Sequence, residues 1–463
     1  MSLTGLAFLV AYFGGCLMAL LRHPVYGLVT YVGVFYLHPP SRWWGEGLPD
    51  LRWSLLAAIV TLAASIIHRN KVDRSPFFRH PVLAGLLIFL MWIGLQTLWA
   101  LDHEMHVELV VVYAKYLLLV WLMYRCIESI EHLRLVVWAH LLGCLYLGFI
   151  VLEQYFGGRF EGFGGPDINE ANSGALQVVT GIAAAAALLL AGSRRQKIFL
   201  FLVVPLIVNA LVATQSRSGF LALVIAGVVF YFLSPKKYVA WVRVLAALAL
   251  VLLVLVTNPI YWSRMGTITH LGEKVEGLDT GAGRVAVLGA QWKMFKAHPL
   301  GCGHRCTATL SRQYLDDIYL VRTGDVLARS SHNTFMTMLV EQGIFGAVFY
   351  VVAAVWILRR IIALRRSLSG REDFLASLYP AVAASLIAVI IGDLFVDYLK
   401  LEVRVWFLAF LMVLLKLQAK EERQPAEAAG IAGDAPNRGA LRRRLPAGDP
   451  GRKRPNRGSL RLR

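Results

Sequence analysis

The sequence predicts an all-α, polytopic transmembrane helix bundle of about 12–13 spans with a long, partly helical periplasmic loop. Three observations predict it. The 463 residues are 57% hydrophobic and only 16% charged, where soluble domains are closer to half apolar and a quarter charged. Uncharged runs of roughly 16–20 residues recur along the chain, enough to cross a hydrocarbon core of ~30 Å as helices. The runs are continuous and lack the alternation of a barrel strand, so helices satisfy the backbone in lipid.

The first run, Leu3 to Leu21, is read as a membrane helix. It has no basic n-region and no convincing small-residue cleavage site, and another span follows at once. Positive-inside bookkeeping orients the rest. The cytoplasmic connections are Arg22-His23, His68 to Arg79, Arg125 to Arg134, Arg194 to Lys197, Pro235 to Lys237, Arg359 to Arg371 and the C-terminal tail. Connections poorer in Lys/Arg, or carrying acids, alternate with them: Pro39 to Leu51, Asp102 to His106, Gln154 to Asn172, Gln215 to Gly219, Asn258 to Asn333 and Asp393 to Lys400. The division is therefore N-terminal spans over 1–256, a periplasmic loop over 257–333, C-terminal spans over 334–418 and a basic cytoplasmic tail over 419–463. The expected location is the bacterial inner membrane.

The net charge of +18 is explained without nucleic acid. From Lys420 to Arg463 twelve Lys/Arg face five Asp/Glu, and most of the remaining excess sits in the cytoplasmic loops. The tail is rich in Arg, Pro, Gly and Ala and is expected to be disordered, touching anionic lipid headgroups. No aromatic interleaving or folded basic face accompanies the charge, so nucleic-acid binding is not expected. The outer segment Asn258 to Asn333 breaks the pattern with nine Lys/Arg against six Asp/Glu. Long loops translocate regardless of charge. A basic excess there points to an anionic ligand or to an ordinary solvated surface.

Four constellations fall on that outer side. The first is Thr214-Gln215-Ser216-Arg217-Ser218-Gly219. An Arg at the bilayer boundary is costly unless it snorkels or meets an anion, and the flanking hydroxyls with a glycine suit an oxyanion or phosphate cradle. The second is Tyr261-Trp262-Ser263-Arg264-Met265 followed by Gly283-Arg284. The stretch Val285 to Ala297 places Val287, Ala290, Gln291, Met294 and Phe295 on related helical positions. It is expected to lie along the membrane surface, with Arg284 near its positive end. An interfacial anchor at Arg217 and a solvated Arg284 are the bland readings.

The third constellation is His298-Pro299-Leu300-Gly301-Cys302-Gly303-His304-Arg305-Cys306. A plain Gly/Pro turn is the simplest reading, and a local Cys302–Cys306 disulfide in an oxidising compartment is the next. Zinc comes last, because the spacing is too cramped and offers no second ligand pair. The fourth is Ser330-Ser331-His332-Asn333-Thr334-Phe335, where the loop re-enters the bilayer. A histidine there is either tolerated at the interface or a general base for a hydroxyl acceptor. Glu341 lies nine residues beyond His332 and pairs with it only if the helix starts late. Asp393 and Asp397, one helical turn apart, form a weak candidate carboxylate pair.

No Walker loop, dinucleotide fingerprint, G-x-S-x-G elbow or HExxH is present, and no D-x-D pair stands in an outer loop. No metal or other cofactor is expected. A cationic site of this kind needs a substrate that arrives already activated, as a lipid-linked diphosphate sugar does.

In these residues the chain resembles the superfamily of O-antigen ligases, O-antigen polymerases and protein O-oligosaccharyltransferases. The resembling runs are TQSRSG from Thr214, NPIYWSRMGTI from Asn258, Gly283-Arg284, HPLGCG from His298 and HNTFMTMLVEQGIFG from His332. The runs FYLHPPSRWWGEGLP from Phe35 and GGPDINEAN from Gly164 are similar to its exosortase-associated O-glycosylation ligases. The resemblance covers roughly residues 1–415, through the order of its motifs along a membrane bundle. It implies transfer of a preassembled glycan in the periplasm from undecaprenyl diphosphate to an acceptor hydroxyl on lipid A core, protein or another glycan, without metal or nucleotide. It implies Arg217 and Arg284 on the diphosphate and His332 on the acceptor, with Ser216, Ser218, Arg264, Arg305 and Asn333 as further substrate contacts.

Other readings stay open from sequence. A polymerase would use the same donor. A transporter or flippase of lipid-linked sugars would also need outer polar groups, although no internal repeat is visible and the spans before Thr214 are nearly uncharged at their centres. A structural scaffold accounts for the helices and leaves the outer Arg, His and Gly clusters unexplained.

Overall fold

The structure, a computed structural model, describes residues 2–257, 259–266, 282–323, 326–329 and 331–433. The chain divides into two units, Met1–Leu417 and Gln418–Arg463. Ten helices come first: α1 (Leu3–Leu21), α2 (Val25–Leu37), α3 (Trp53–Ile67), α4 (Pro81–Gln96), α5 (His103–Cys126), α6 (Ile130–Gln154), α7 (Ala171–Ala191), α8 (Arg194–Ala213), α9 (Arg217–Leu233) and α10 (Val239–Val256). Three shorter ones follow: α11 (Pro259–Gly266), α12 (Ala282–Ala297) and α13 (Cys306–Tyr314). A hairpin of β1 (Val321–Thr323) and β2 (Val326–Ala328) is the one strand pair among the described residues, antiparallel with Arg322 opposite Leu327. The chain then forms α14 (Thr334–Glu341), α15 (Gly343–Ser367), α16 (Phe374–Gly392) and α17 (Glu402–Gly433).

The expected all-α membrane bundle is what the chain forms. Among the described residues eight helices are long and apolar enough to cross a membrane, with α3, α4 and α9 as shorter apolar ones. Helix starts follow local chemistry. Ser129, Ser193, Ser216, Asn333 and Asp373 each accept a backbone N–H in the first turn of the helix they precede, satisfying donors that have no intrahelical partner.

The centre of the bundle is α16, buried along almost its whole length against α7 and α9. Small residues permit the approach. A Cβ at Gly181 on α7 would stand 2.5 Å from Cys144 Sγ on α6, and α7 presents the run Ala183–Ala187. In lipid, where tails are as apolar as leucine, close packing of small residues is what holds helices together. Large apolar side chains such as Leu3, Val10, Ile88 and Leu202 stay on the exterior, as a lipid-facing surface requires.

One expectation is refined and one is corrected. The stretch 285–297 is helical, and most of the residues on its related helical positions are turned into the protein. Val287, Ala290, Gln291 and Met294 are buried, and Ala290 and Met294 pack with Cys302, Cys306, Leu310 and Val340. The helix therefore seals against α13 and α14. Likewise Asp393 and Asp397 do not share a helix face, because α16 ends at Gly392. Asp393 is fully buried, bound by Arg404 from α17, by Thr334 Oγ1 at 2.8 Å and by Tyr350 Oη at 2.8 Å. That network anchors the start of α14 to the α16–α17 connection.

Candidate active site

The glycine-rich run from His298 is a backbone splice. Gly301 and Gly303 hold φ of +84° and +88°, a region costly for side chains. A Cβ at Gly301 would meet Glu341 O at 2.6 Å and Gly343 N at 2.6 Å. The run threads between two other connections. Gly303 N–H donates to Glu341 O at 2.9 Å, Ile344 N–H to Pro299 O at 3.0 Å and Leu101 N–H to Cys302 O at 2.9 Å. Cys302 and Cys306 are joined by a disulfide, which closes the turn after the splice.

The splice delivers His304 to a buried position. Its Nδ1 donates to Glu341 Oε2 at 2.9 Å, with both side chains almost wholly buried. Its backbone N–H donates to His106 Nδ1 at 2.9 Å, and His106 Nε2 donates to Ile93 O at 2.8 Å. His304 is thus a partner that the sequence did not suggest for Glu341.

His304 and Glu341 form part of the wall of a cavity of about 490 Å³. From the α6–α7 connection and the start of α7 come Asp167, Asn169, Glu170, Asn172 and Ser173; from the splice and α13, Arg305, Thr307 and Ala308; then Ser331 and His332 ahead of α14; and Val396 to Leu401 between α16 and α17. Cations and anions line it together. Burial pushes the Asp397 carboxyl up to about 6, with the nearby Glu341 adding to the rise, against hydrogen bonds from Leu399 N–H at 3.0 Å and Thr337 Oγ1 at 3.1 Å. Burial likewise raises Asp167, opposed by Lys400. Desolvation disfavours the charged form of any carboxylate that leaves water.

The structure places the predicted site residues in three groups. His332 and Arg305 line the cavity. Ser216 and Ser218 sit one hydrogen bond behind it: Ser216 Oγ donates to Asn172 Oδ1 at 2.7 Å, and Ser218 Oγ to the same oxygen at 3.3 Å. Between them Arg217 is the half-buried first residue of α9, at the helix end whose free N–H groups favour an anion. Gly219 serves helix packing, since a Cβ there would stand 2.5 Å from Ala175 Cβ on α7.

Arg264, Asn333 and Arg284 form the third group. Arg264 lies on α11, which packs beside α9 through Tyr261 and Phe220, and it is outside the cavity lining. Asn333 uses its amide on structure: Oδ1 accepts from Met336 N–H at 2.9 Å and Nδ2 donates to Leu394 O at 3.2 Å. The backbone of Arg284 belongs to α12, and its side chain lies outside the described residues. Two turns further along α12, Gln291 Nε2 donates to Ser331 Oγ at 2.9 Å, so α12 is pinned to the turn that carries His332.

Residues 201–351 match a family model described as O-antigen ligase. That segment is about a third of the chain, and across it the chain is similar to the O-antigen ligases. No curated protein matches the chain. The O-antigen ligase segment contains Arg217, Arg264, Arg284, His304, Arg305, His332 and Glu341. Asp167, Asn172, Asp397 and Lys400 lie outside it and form a second part of the same cavity's lining. Of this second part the sequence offered only Asp397, in a weak pair with Asp393, and it missed Asp167, Asn172 and Lys400. Its signal was weak: acids in two short outer connections, Gly164 to Asn172 and Asp393 to Lys400. Among the described residues no group of three or more His, Cys, Asp or Glu is disposed to hold a metal ion.

Proposed function

We propose that this O-antigen ligase-like glycosyltransferase acts on the periplasmic face of the bacterial inner membrane. It moves a preassembled glycan from undecaprenyl diphosphate to an acceptor hydroxyl, on lipid A core, protein or another glycan, without a metal. The observation that carries the reading is a cavity at the helix ends that the positive-inside pattern assigns to the outer face. His332 lines it, and Asn172 joins it to the turn that holds Arg217. The Cys302–Cys306 disulfide suits an oxidising compartment on this face.

The chemistry divides between the two parts of the site. As the glycosidic C–O bond breaks, an electron pair moves onto the diphosphate oxygen and positive charge grows at the sugar carbon. Arg217, at the positive end of α9, and Arg284 receive the diphosphate, with Ser216 and Ser218 fixing the turn; Arg305 and Arg264 add donors nearby. His332 takes the proton of the attacking hydroxyl, whose oxygen forms the new bond to carbon. The carboxylates of Asp397 and Asp167 line the same cavity, where they favour the developing positive charge. Prearranged donors in a water-poor site require little reorganisation during reaction, and each is worth ~3 kcal/mol in comparable sites.

The test is reconstitution into vesicles with lipid-diphosphate glycan and, in turn, lipid A core, a protein and a glycan as acceptors. Transfer to one of them names the acceptor and separates ligase from polymerase. Movement of the donor between leaflets with transfer to none would refute the enzyme and leave a transporter.

A further inference from the structure

At the opposite ends of α9 and α16 from the site lies a second cavity, of about 510 Å³. It forms where the α9–α10 connection meets the end of α15 and the α15–α16 connection, and four of its lining residues are basic: Lys236, Lys237, Arg365 and Arg371. Two of these are committed. Lys237 pairs with Glu372, and Arg371 with Asp373, its Nε donating at 2.7 Å. The side chains of Lys236 and Arg365 make no hydrogen bond or ion pair among the described residues. They come from the α9–α10 connection and the last turn of α15, more than a hundred residues apart in sequence, so tertiary folding, and not a local run of charge, brings them to one cavity. Its apolar side is formed by Phe232, Leu233 and Tyr379, with Phe232 64% exposed on the outer surface of the bundle.

We propose that this cavity binds the phosphate of an anionic membrane glycerophospholipid, such as phosphatidylglycerol, between Lys236 and Arg365. Two cations without side-chain partners call for a phosphate at a site whose one lining acid, Glu372, is paired with Lys237. The exposed apolar edge beside them, at the ends of membrane helices, calls for acyl chains. A guanidinium and an ammonium at a bilayer surface each favour an anionic headgroup, and basic pockets between helix ends concentrate that attraction at one point. The positive-inside expectation puts this end in the cytoplasmic leaflet. The site is separate from the glycan-transfer reading and does not depend on it.

The test is native mass spectrometry of the detergent-solubilised full chain, titrated with phosphatidylglycerol and with phosphatidylcholine. Wild type is expected to retain one phosphatidylglycerol in preference to phosphatidylcholine. Lys236→Ala/Arg365→Ala is expected to weaken that binding about tenfold or more, at about fivefold per charge. Arg194→Ala/Arg195→Ala, which removes two charges from another connection on the same face, should change it less than about twofold. Lys236→Gln alone, a substitution at an exposed residue, gives the same direction if the double variant folds poorly. Equal retention of the two lipids, equal loss in both double variants, or displacement by millimolar inorganic phosphate would each overturn the proposal. The last would reveal an ion site and not a lipid site.

Discussion

Asn172 Oδ1 accepts a hydrogen bond from Ser216 Oγ at 2.7 Å, and through it the first turn of α9 is fastened to the wall of the cavity that holds His332. The bond spans 44 residues of sequence. Ser216 also caps α9 by accepting from Gly219 N–H at 3.0 Å, so one hydroxyl fixes both the helix start and its position. The proposed aim of Arg217 at the diphosphate depends on this contact.

Asn172→Ala should therefore lower the rate of glycan transfer roughly tenfold while the protein stays folded, since misplacement by an ångström is costly to positioned chemistry. Asn172→Asp keeps an acceptor for both serines but sets a negative charge beside the diphosphate position. The donor KM should rise more than kcat falls. Steady-state kinetics in vesicles check both outcomes.

Asp393 and Asp397 should behave in opposite ways. Asp393→Asn removes the charge that Arg404 answers inside the bundle. Breaking a buried pair from one side costs ~3–5 kcal/mol, so the expected outcome is a large fall in melting temperature and yield. Asp397→Asn should leave the protein folded, because neither of its hydrogen bonds requires a charge. Thermal melts of the two variants in detergent distinguish them.

The Asp397 carboxyl, held near 6 by burial and by Glu341, makes a pH prediction. The folded state keeps its proton at pH values where the unfolded chain, with an ordinary carboxyl near ~3.9, has released it. The stabilisation is present below about pH 4 and is lost as pH rises to about 6. The melting temperature of Asp397→Asn minus that of wild type should thus grow between these values and level off above. A flat difference across the window would remove Asp397 from the account.

Much of this architecture is legible in the sequence because its signals are local. Apolar runs mark the spans, Ser193, Ser216 and Asn333 mark helix starts, and His332 stands where the outer loop returns to the bundle. Residues that act across the fold leave no such mark. Glu341 finds His304 at 37 residues' separation because α14 stops at Glu341. Gly343, with φ of +71°, then restarts the chain as α15 where the splice from Pro299 to Gly303 crosses it. Periodicity reads the whole stretch after His332 as one span and cannot show that break. Gly219 shows the converse limit. A glycine beside Arg217 reads as room for a phosphate, whereas the space is taken by Ala175 of α7.

The central claim is that Arg217 and His332 serve one reaction, and the most direct measurement is the initial rate of glycan transfer in vesicles carrying equal amounts of inserted protein. Wild type should transfer glycan. Arg217→Ala and His332→Ala should each fall by at least about a hundredfold. Arg217→Lys should stay severely impaired, because an ammonium cannot reproduce the guanidinium fork. Wild-type rates in both alanine variants would contradict the account.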